Sequence, residues 1–349
     1  MTVLKGANPV KMLQKCYYPF GVALLLLIVA GGVILFQNYK LRKLRATAES
    51  TFYVMKSLEL EIGKLEEVEL LKSDPGQLAE LQAKRGKVRN LEKEYDNFIA
   101  KLGIYAKASP EDRAIMRVAH SFGECEVNMP KGFPDEIKKH IALWKSSERL
   151  PKALSRAQQK GFAPLIVRIL KDNNLPPQFF YIALHESNFD ERAVGPVTQA
   201  GSAKGLWQLI ASTAQSFGLS VGPLHDQPVY DPQDERFEPA KATLAALKYL
   251  KMLKNTNAQA SGLLVMAAYN WGEGNVQKFI GQMPPNPRDR NFWRLLSLNN
   301  IPKESYDYVY SVFSAAVICQ DPKLFGFDCS CPVYPGADLP ALQGAGSRG

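Results

Sequence analysis

The hydrophobic pattern begins with one long apolar run near the N-terminus. No charged residue lies between Lys15 and Lys40, and residues 20–36 are almost wholly apolar. A helix needs about 20 apolar residues to cross a bilayer, so the run is long enough. A cleaved signal peptide would have a shorter apolar stretch followed by small residues, which residues 35–38 do not provide. We therefore predict an uncleaved single-pass membrane helix over residues 20–39.

Residues 44–104 follow as a charged, helix-favouring segment. Apolar residues recur every seven positions in its second half, at Leu81, Val88, Tyr95 and Leu102. Two more, Leu91 and Phe98, fill the intervening seam positions. Such a heptad pattern is typical of a coiled coil. Asp74-Pro75-Gly76 should break the helix before it. We predict a helical hairpin or kinked coiled-coil stalk with a coiled-coil partner or self-association, the alternative being a solvated helical spacer without a partner.

The rest of the chain is patterned as one helical domain. Apolar residues recur at helical spacing throughout residues 111–334, with proline and glycine between the stripes. No convincing run of alternating polar and apolar residues indicates a strand. Residues 335–349 are rich in Gly, Ala and Pro, and we expect a flexible tail there. The predicted fold class is mainly α: a membrane helix, a helical stalk and a compact helical domain.

The charge balance points to acidic partners. Lys and Arg number 43 against 34 Asp and Glu, which gives a formal net charge of +9. Nucleic acid, anionic lipid and anionic wall polymers would all be attracted to such a surface. The chain has no zinc-finger spacing, RNP-like motif or long Lys/Arg run, so we predict no nucleic-acid partner.

Four of the five cysteines lie beyond the apolar run, at Cys125, Cys319, Cys329 and Cys331. An even set of this kind is compatible with one or two disulfides in an oxidising compartment. Cys-Ser-Cys at 329–331 lacks the spacing of common zinc sites, and no histidine lies near it. We therefore predict a disulfide rather than free thiols, and no metal.

Glu186 is the first candidate for chemistry. It directly follows the apolar run at 179–184, which should be a buried helix end. A carboxyl group that is partly desolvated by apolar neighbours has a raised pKa. Cleavage of a glycosidic bond uses such a protonated carboxylic acid near neutral pH. An ordinary exposed helix-end glutamate is the alternative for this segment taken alone.

Two further segments combine glycine with residues that contact sugars. In residues 201–210, Trp207 could stack on a sugar face and Gln208 could hydrogen-bond hydroxyl or acetamido groups. Trp207 could equally lie in the core beside a glycine-rich turn. Farther on, Tyr269 and Asn270 end an apolar helix just before two glycines.

The three segments occur in order, and together they are far more specific than any one alone. The chain resembles the lytic transglycosylase family with a goose-type lysozyme-like domain, over roughly residues 133–327. The Glu-Ser, Gly-Leu-x-Gln and Ala-Tyr-Asn-x-Gly motifs of that family are matched by Glu186-Ser187-x-Phe189, Gly205-Leu206-Trp207-Gln208 and Ala268-Tyr269-Asn270-x-Gly272. The resemblance implies a lysozyme-like helical catalytic domain over residues 111–334.

The resemblance also implies an activity. Family members cut the β-1,4 bond between N-acetylmuramic acid and N-acetylglucosamine in peptidoglycan glycan strands and leave 1,6-anhydromuramyl ends. Glu186 would be the catalytic acid and then the base, with no metal or cofactor. Further residues would bind the substrate or line the cleft: Ser187, Gln208, Tyr269, Asn270 and Tyr308. Ser187 would orient the glutamate or contact sugar, and Gln208 would bind an acetamido group.

Two other functions stay open at this stage. A lysozyme-type muramidase would ordinarily need a second carboxylate. The candidates are Asp190, Asp226, Asp231 and Asp234, of which we expect Asp190 to be a local capping or solvated residue. The other possibility is a non-catalytic peptidoglycan-binding component of an envelope machine, against which the intact Glu186 argues.

The substrate that the resemblance implies also fixes a location. Peptidoglycan lies outside the bacterial inner membrane, so the catalytic domain should be periplasmic and residues 1–19 cytoplasmic. A helical stalk of about 28 residues would span roughly 40 Å and hold the domain off the membrane.

Overall fold

A computed structural model of the protein describes residues 9–72, 75–254, 261–298 and 301–333, with side chains described from residue 23 onward except at 67–72. The described chain is mainly helical, which confirms the predicted fold class. The expected tail at 335–349 lies outside the described residues, as do residues 1–8 and Asp74.

The first helix, α1, runs without a break over Pro9–Lys72. Its portion Ala23–Glu66 is long and apolar enough to cross a membrane by length and composition. The apolar side chains at 24–29 and 33–36 are exposed on the protein, as a lipid-facing helix requires. The predicted membrane span therefore continues directly into the segment predicted as a stalk.

The second helix, α2, spans Pro75–Leu102 and pairs antiparallel with α1. Near the tip of this hairpin, Lys84 Nζ lies 2.5 Å from a carboxylate oxygen of Glu61. Farther down, the ring of Tyr95 lies 5.3 Å from that of Phe52. The heptad residues Leu81, Val88 and Tyr95 are buried. The predicted hairpin is present, and its seam packs within the same chain.

The hairpin also packs against the helical domain. Tyr95 and Tyr105 donate hydrogen bonds from their hydroxyls to the buried carboxylate of Glu126, at 2.8 and 3.1 Å. On α1, the hydroxyl of Tyr53 accepts from the side-chain amide of Asn291 at 3.2 Å. The described residues within 44–104 are therefore neither a solvated spacer nor a free stalk, because buried polar and apolar contacts fix them to the domain.

The domain consists of short helices around one apolar core. After α2 the helices α3 to α14 span Ile104–Lys107, Pro110–Ser121, Phe133–Lys145, Arg149–Gln159, Phe162–Asp172, Phe180–Ser187, Ala211–Ser216, Pro239–Met252, Gly262–Trp271, Glu273–Ile280, Phe292–Ser297 and Lys303–Gln320. Single 3-10 turns lie at Glu126–Asn128, Pro177–Phe179 and Glu235–Phe237. The long helix α14 lies at the centre and packs against α4, α5, α8 and α11.

One β-hairpin interrupts the helical pattern, which the sequence did not indicate. Strand β1, Val194–Thr198, pairs antiparallel with β2, Gly201–Lys204. The strands read Val-Gly-Pro-Val-Thr and Gly-Ser-Ala-Lys, so they are short and carry no alternation of large apolar and polar residues. The pairing depends on the packing of the surrounding loops rather than on strand propensity.

The predicted disulfide is present and joins Cys319 at the end of α14 to Cys331. Cys125 is buried with a free thiol, and Cys329 is free and partly buried. The disulfide holds the segment after α14 against the core, where Phe325 and Val333 are buried.

Candidate active site

Glu186 lies in the last turn of α8, at the edge of the core. Residues 180–184 of this helix have no exposed surface. The helix ends abruptly because Asn188 and Phe189 both have left-handed backbone angles, with φ of 51° and 58°. Phe189 then turns back under the helix and stacks on Phe180 at 4.5 Å. This turn leaves the carboxyl group of Glu186 partly buried, between core and cleft.

The carboxyl group of Glu186 has one close hydrogen-bond partner among the described residues. The hydroxyl of Tyr308, on α14, donates to Oε1 of Glu186 at 2.6 Å. Burial raises the pKa of Glu186 to about 7, while the hydrogen bond from Tyr308 acts in the opposite direction. A carboxyl group with this pKa is protonated in a large fraction of molecules near neutral pH, as a general acid must be.

Two of the candidate second carboxylates lie in local structure outside the core. Asp190 accepts the backbone N–H of Arg192 at 3.0 Å within the turn after α8. Asp226 is exposed and lies 3.0 Å from the imidazole of His225. No carboxylate in the described part of the chain contributes to the raised pKa of Glu186: burial raises this pKa, and the hydrogen bond from Tyr308 opposes the rise.

The other two candidates are structural. Asp231 is buried and accepts the backbone N–H groups of Leu224 and Gln233, both at 3.0 Å. Asp234 is buried against the guanidinium of Arg236 at 2.6 Å. Both carboxylates stabilise the loop beneath the β-hairpin, and neither is free to act on a substrate.

Arg236 organises the Gly-Leu-Trp-Gln segment. It is 1 % exposed, and its guanidinium donates to the carbonyls of Ser202 and Leu209, at 2.9 and 3.0 Å. The backbone of Gly205 passes so close that a Cβ there would lie 1.9 Å from the carbonyl oxygen of Arg236, and its φ is +75°. Only glycine fits at this position, both sterically and conformationally.

Gln208 lies in this segment with its side-chain amide held in place. Its Nε2 donates to the carbonyls of Gly205 at 2.8 Å and Ala193 at 3.2 Å. Its Oε1 lies over Gly195, 3.0 Å from where a Cβ would be. With both amide hydrogens engaged, Oε1 is the atom that can accept a hydrogen bond from a ligand, such as the N–H of an acetamido group.

Two polar side chains tie the other motifs to the same segment. The hydroxyl of Ser187 is buried and lies within hydrogen-bond distance of the carbonyls of Ala183 and Leu206, at 3.1 and 2.9 Å. The hydroxyl of Tyr269 donates to the carbonyl of Trp207 at 2.7 Å. Of the two roles expected for Ser187, this geometry fits orientation of the glutamate and not a sugar contact, since its hydroxyl faces backbone carbonyls.

Trp207 belongs to the core. Its side chain is 1 % exposed, and its indole N–H donates to the hydroxyl of Thr243 at 3.0 Å. This excludes the sugar-platform alternative that the sequence left open, because no face of the ring reaches the cleft.

A groove of about 1090 Å³ lies beside Glu186. Its lining includes His185, which precedes Glu186 in the chain, Tyr308, which donates a hydrogen bond to Glu186, and Asn270. Aromatic and charged residues of α5 and α14 line its walls, among them Phe133, Glu136, Lys139, Tyr306, Asp307 and Tyr310. These wall residues were not predicted from the sequence. Tyr306 and Tyr310, four residues apart on one face of α14, are the signal that could have marked this helix as a cleft wall.

His185 packs beside the site in a neutral form. Burial, followed by the electrostatic effects of Arg149 and His140, lowers its pKa to about 4. Its Nδ1 lies 3.0 Å from the hydroxyl of Ser311, and its ring contacts that of Tyr308 edge to face at 4.6 Å. It is therefore neutral near pH 7 and cannot act there as an imidazolium acid. No group of His, Cys, Asp and Glu within the described ranges could hold a metal ion.

Comparison with known proteins supports the assignment of these motifs. Residues 164–291 match the family model of the transglycosylase SLT domain, a range that includes Glu186, Ser187, Gln208, Tyr269 and Asn270 but not Tyr308. Over 157 residues the chain is 31% identical to membrane-bound lytic murein transglycosylase D of Escherichia coli K12, and equally to that of Escherichia coli O6:H1 strain CFT073. The match covers 45% of this chain and 31% of each relative, so the chain spans about a third of the length of the curated relatives it matches. No solved structure matches.

Proposed function

We propose that this chain, whose residues 164–291 match the family model of the transglycosylase SLT domain, is a peptidoglycan lytic transglycosylase. One observation carries the proposal: the pKa of Glu186 is raised to about 7, and Tyr308 holds its carboxyl group at 2.6 Å. A single carboxyl group that is readily both protonated and ionised near neutral pH is what a reaction with one acid/base residue needs.

The reaction proceeds in two proton transfers through Glu186. The protonated carboxyl group donates to the glycosidic oxygen while the bond from that oxygen to C1 of N-acetylmuramic acid breaks, and the departing N-acetylglucosamine keeps the electron pair. The carboxylate then accepts the proton of the C6 hydroxyl on the same muramyl residue as O6 bonds to C1. The product is a 1,6-anhydro end, no water is consumed, and Glu186 is protonated again. Because the attacking hydroxyl is part of the substrate, no second carboxylate is required to activate water.

The remaining site residues bind and position. Oε1 of Gln208 accepts the N–H of an acetamido group, and the exposed Asn270, which lines the groove, contacts sugar. Ser187 and Tyr269 fix the helices that carry Glu186 and Asn270 to the Gly-Leu-Trp-Gln segment. Tyr308 stabilises the carboxylate that forms between the two proton transfers.

We place the enzyme in the bacterial inner membrane. The helix over 20–39 is the single-pass anchor, residues 1–19 are cytoplasmic, and the catalytic domain over 111–334 is periplasmic. Three observations support this: the length and hydropathy of the helix, the description of both relatives as membrane-bound, and the disulfide between Cys319 and Cys331, since disulfides persist in oxidising compartments. The proposed partners are the glycan strand and the membrane. The seam that predicted a coiled-coil partner is occupied by α1.

The test is mass spectrometry of muropeptides that the full chain, purified in detergent, releases from isolated peptidoglycan. We expect 1,6-anhydromuramyl products from the wild-type protein and none from Glu186→Gln. Reducing-end products would replace this function with that of a lysozyme-type muramidase. Retained binding to peptidoglycan without any product from the wild type would indicate a non-catalytic wall-binding component.

A further inference from the structure

A second groove, of about 570 Å³, lies at the base of the helical hairpin, where α1 leaves the predicted membrane span. Side chains of α1 from Asn38 to Arg45 form one wall. The end of α2 and the short helix α3 form another, and residues of the segment 126–134 form the third. Anchor, hairpin and catalytic domain therefore meet at this groove.

Four basic residues converge on the groove: Arg42 and Arg45 from α1, Lys107 from α3 and Lys131 from the domain. All four are exposed, and among the described residues none forms an ion pair with a carboxylate. Arg45 donates one hydrogen bond to the backbone carbonyl of Val127. The groove therefore presents uncompensated positive charge.

The single acidic residue that lines the groove does not neutralise this charge. Glu126 is 5 % exposed, and its carboxylate already accepts hydrogen bonds from Tyr95 and Tyr105 and lies 3.1 Å from the imidazole of His120. Between the basic residues the walls are apolar, with Leu41, Leu102, Ile104, Met116 and Met129. Four cations beside an apolar surface suit an amphiphilic anion rather than a fully solvated one.

The groove begins at the depth of the lipid headgroups if α1 crosses the membrane, and it extends away from the membrane from there. The apolar run ends at Phe36, and α1 continues without a break through Arg42. At about 1.5 Å per residue, Asn38 and Arg42 lie about 3 and 9 Å beyond the end of the run. The headgroup layer is roughly 5–8 Å thick on each side of a hydrocarbon core of about 30 Å. Asn38 thus lies within the headgroup layer and Arg42 just beyond it. Side chains of a helix point toward its N-terminus, which here is the membrane, so the basic side chains that α1 contributes to the groove extend toward the lipid phosphates.

We propose that this groove binds an anionic phospholipid, with its phosphate among Arg42, Arg45, Lys107 and Lys131 and its glycerol and first acyl carbons against the apolar walls. The proposal rests on the membrane anchor that the proposed function includes. Because Lys107 and Lys131 belong to the domain and the two arginines to the anchor helix, one bound lipid bridges them. It holds the base of the catalytic domain at the membrane surface.

The experiment is native mass spectrometry of the full chain in a neutral detergent, titrated with short-chain phosphatidylglycerol or with phosphatidylcholine of the same chain length. The test variant is Lys107→Gln/Lys131→Gln, and the control variant is Lys171→Gln/Lys248→Gln, which removes the same charge from exposed positions on α7 and α10. We expect the wild type and the control to retain phosphatidylglycerol in preference to phosphatidylcholine. The test variant should bind phosphatidylglycerol at least about tenfold more weakly.

Three results would overturn the proposal. Equal retention of the two lipids would remove the role of the anionic headgroup, and equal binding by the test and control variants would place the lipid elsewhere on the anchor helix. Full displacement of phosphatidylglycerol by inorganic phosphate at the same concentration would make the groove a site for a free anion. Lipid retention is measured without peptidoglycan, so its failure is distinguishable from failure of the muropeptide assay.

Discussion

The hydroxyl of Tyr308 donates to Oε1 of Glu186 at 2.6 Å, across 122 residues of sequence. This contact joins the central helix α14 to the end of α8, and it opposes the effect of burial on the glutamate. Burial disfavours the carboxylate, whereas the hydrogen bond stabilises it. The balance sets the pKa of Glu186 at about 7, so that one residue can serve first as acid and then as base.

Substitution of Tyr308 by phenylalanine should therefore change the pH profile as well as the rate. Without the hydrogen bond the pKa of Glu186 rises further, because the remaining influence is burial. Activity that needs the protonated acid falls as pH rises through this pKa. The alkaline limb of the pH–rate profile should therefore lie near pH 7 for the wild type and at higher pH for Tyr308→Phe. The rate at the optimum should fall by roughly 10- to 100-fold, the equivalent of one charge-assisted hydrogen bond.

Tyr306→Phe on the same helix is the matched control for this profile. Tyr306 lines the groove but has no hydrogen bond to the glutamate among those the structure describes. Its removal should leave the alkaline limb where the wild type has it. An unchanged limb in Tyr308→Phe would show that the hydrogen bond does not tune the acid.

Replacing Glu186 by glutamine should abolish turnover and leave binding and folding intact. The amide keeps the size of the side chain but can neither donate the proton to the glycosidic oxygen nor accept one from the C6 hydroxyl, so a loss of at least about 100- to 10,000-fold is expected. Asp190→Asn, four residues on, is the control, because Asp190 caps a local turn. Release of anhydromuropeptides measures both, and a comparable loss in Asp190→Asn would restore it as a second carboxylate.

The position of Glu186 was predictable from the sequence because it depends on local pattern. An apolar run that ends in Glu-Ser gives a buried helix with a carboxyl group at its end, and the structure has α8 end at Ser187. The contact with Tyr308 was not predictable in the same way. The packing of α14 against α8 depends on the whole core, and only the family resemblance distinguished Tyr308 from the neighbouring Tyr306 and Tyr310.

The hairpin shows the same limit on prediction at a larger scale. The seven-residue spacing of Leu81, Val88 and Tyr95 fixes which face of α2 is buried, and the structure agrees. The spacing cannot identify what covers that face, since a second copy, another protein or α1 would present similar apolar side chains. In the structure α1 covers that face. Polar groups outside the seven-residue pattern, above all the carboxylate of Glu126, then fix α2 to the domain.

Gly205→Ala should destabilise the fold strongly. The new methyl group would overlap the carbonyl oxygen of Arg236, and the backbone would carry a side chain at a φ of +75°. Overpacking and left-handed backbone together should lower the free energy of unfolding by about 2–5 kcal/mol. Thermal unfolding followed by circular dichroism measures the loss.

Gly86→Ala is the control with the opposite expected sign. Gly86 lies within α2, where a Cβ would meet only the end of the Arg89 side chain at 3.9 Å. Alanine favours the helix over glycine by up to about 1 kcal/mol, so this variant should be as stable as the wild type or more stable. A loss in Gly86→Ala as large as that in Gly205→Ala would contradict the steric argument.

The attachment of the hairpin should depend on pH through Glu126 and His120, whose side chains lie 3.1 Å apart. Burial alone would raise the pKa of Glu126, but the charge and hydrogen bond of His120, together with hydrogen bonds from the backbone and Tyr95, outweigh it and the pKa is lowered. Burial would likewise lower the pKa of His120, but the charge of Glu126 raises it.

The glutamate therefore stabilises the attachment above its ordinary pKa of 4.5 and loses this effect as pH falls through its lowered value. The histidine stabilises it fully below its ordinary pKa of 6.5 and loses this effect as pH rises through its raised value.

Hydrogen exchange of the α2 amides should therefore be slowest, relative to the intrinsic rate, between about pH 4.5 and 6.5. Glu126→Gln removes the charge that Tyr95 and His120 face, so α2 should exchange faster and the pH dependence should flatten. Glu94→Gln removes the same charge from an exposed position on α2 and should leave both unchanged. If Glu126→Gln and Glu94→Gln exchange alike, the hairpin is held by its apolar seam alone, and the buried pair contributes nothing to its attachment.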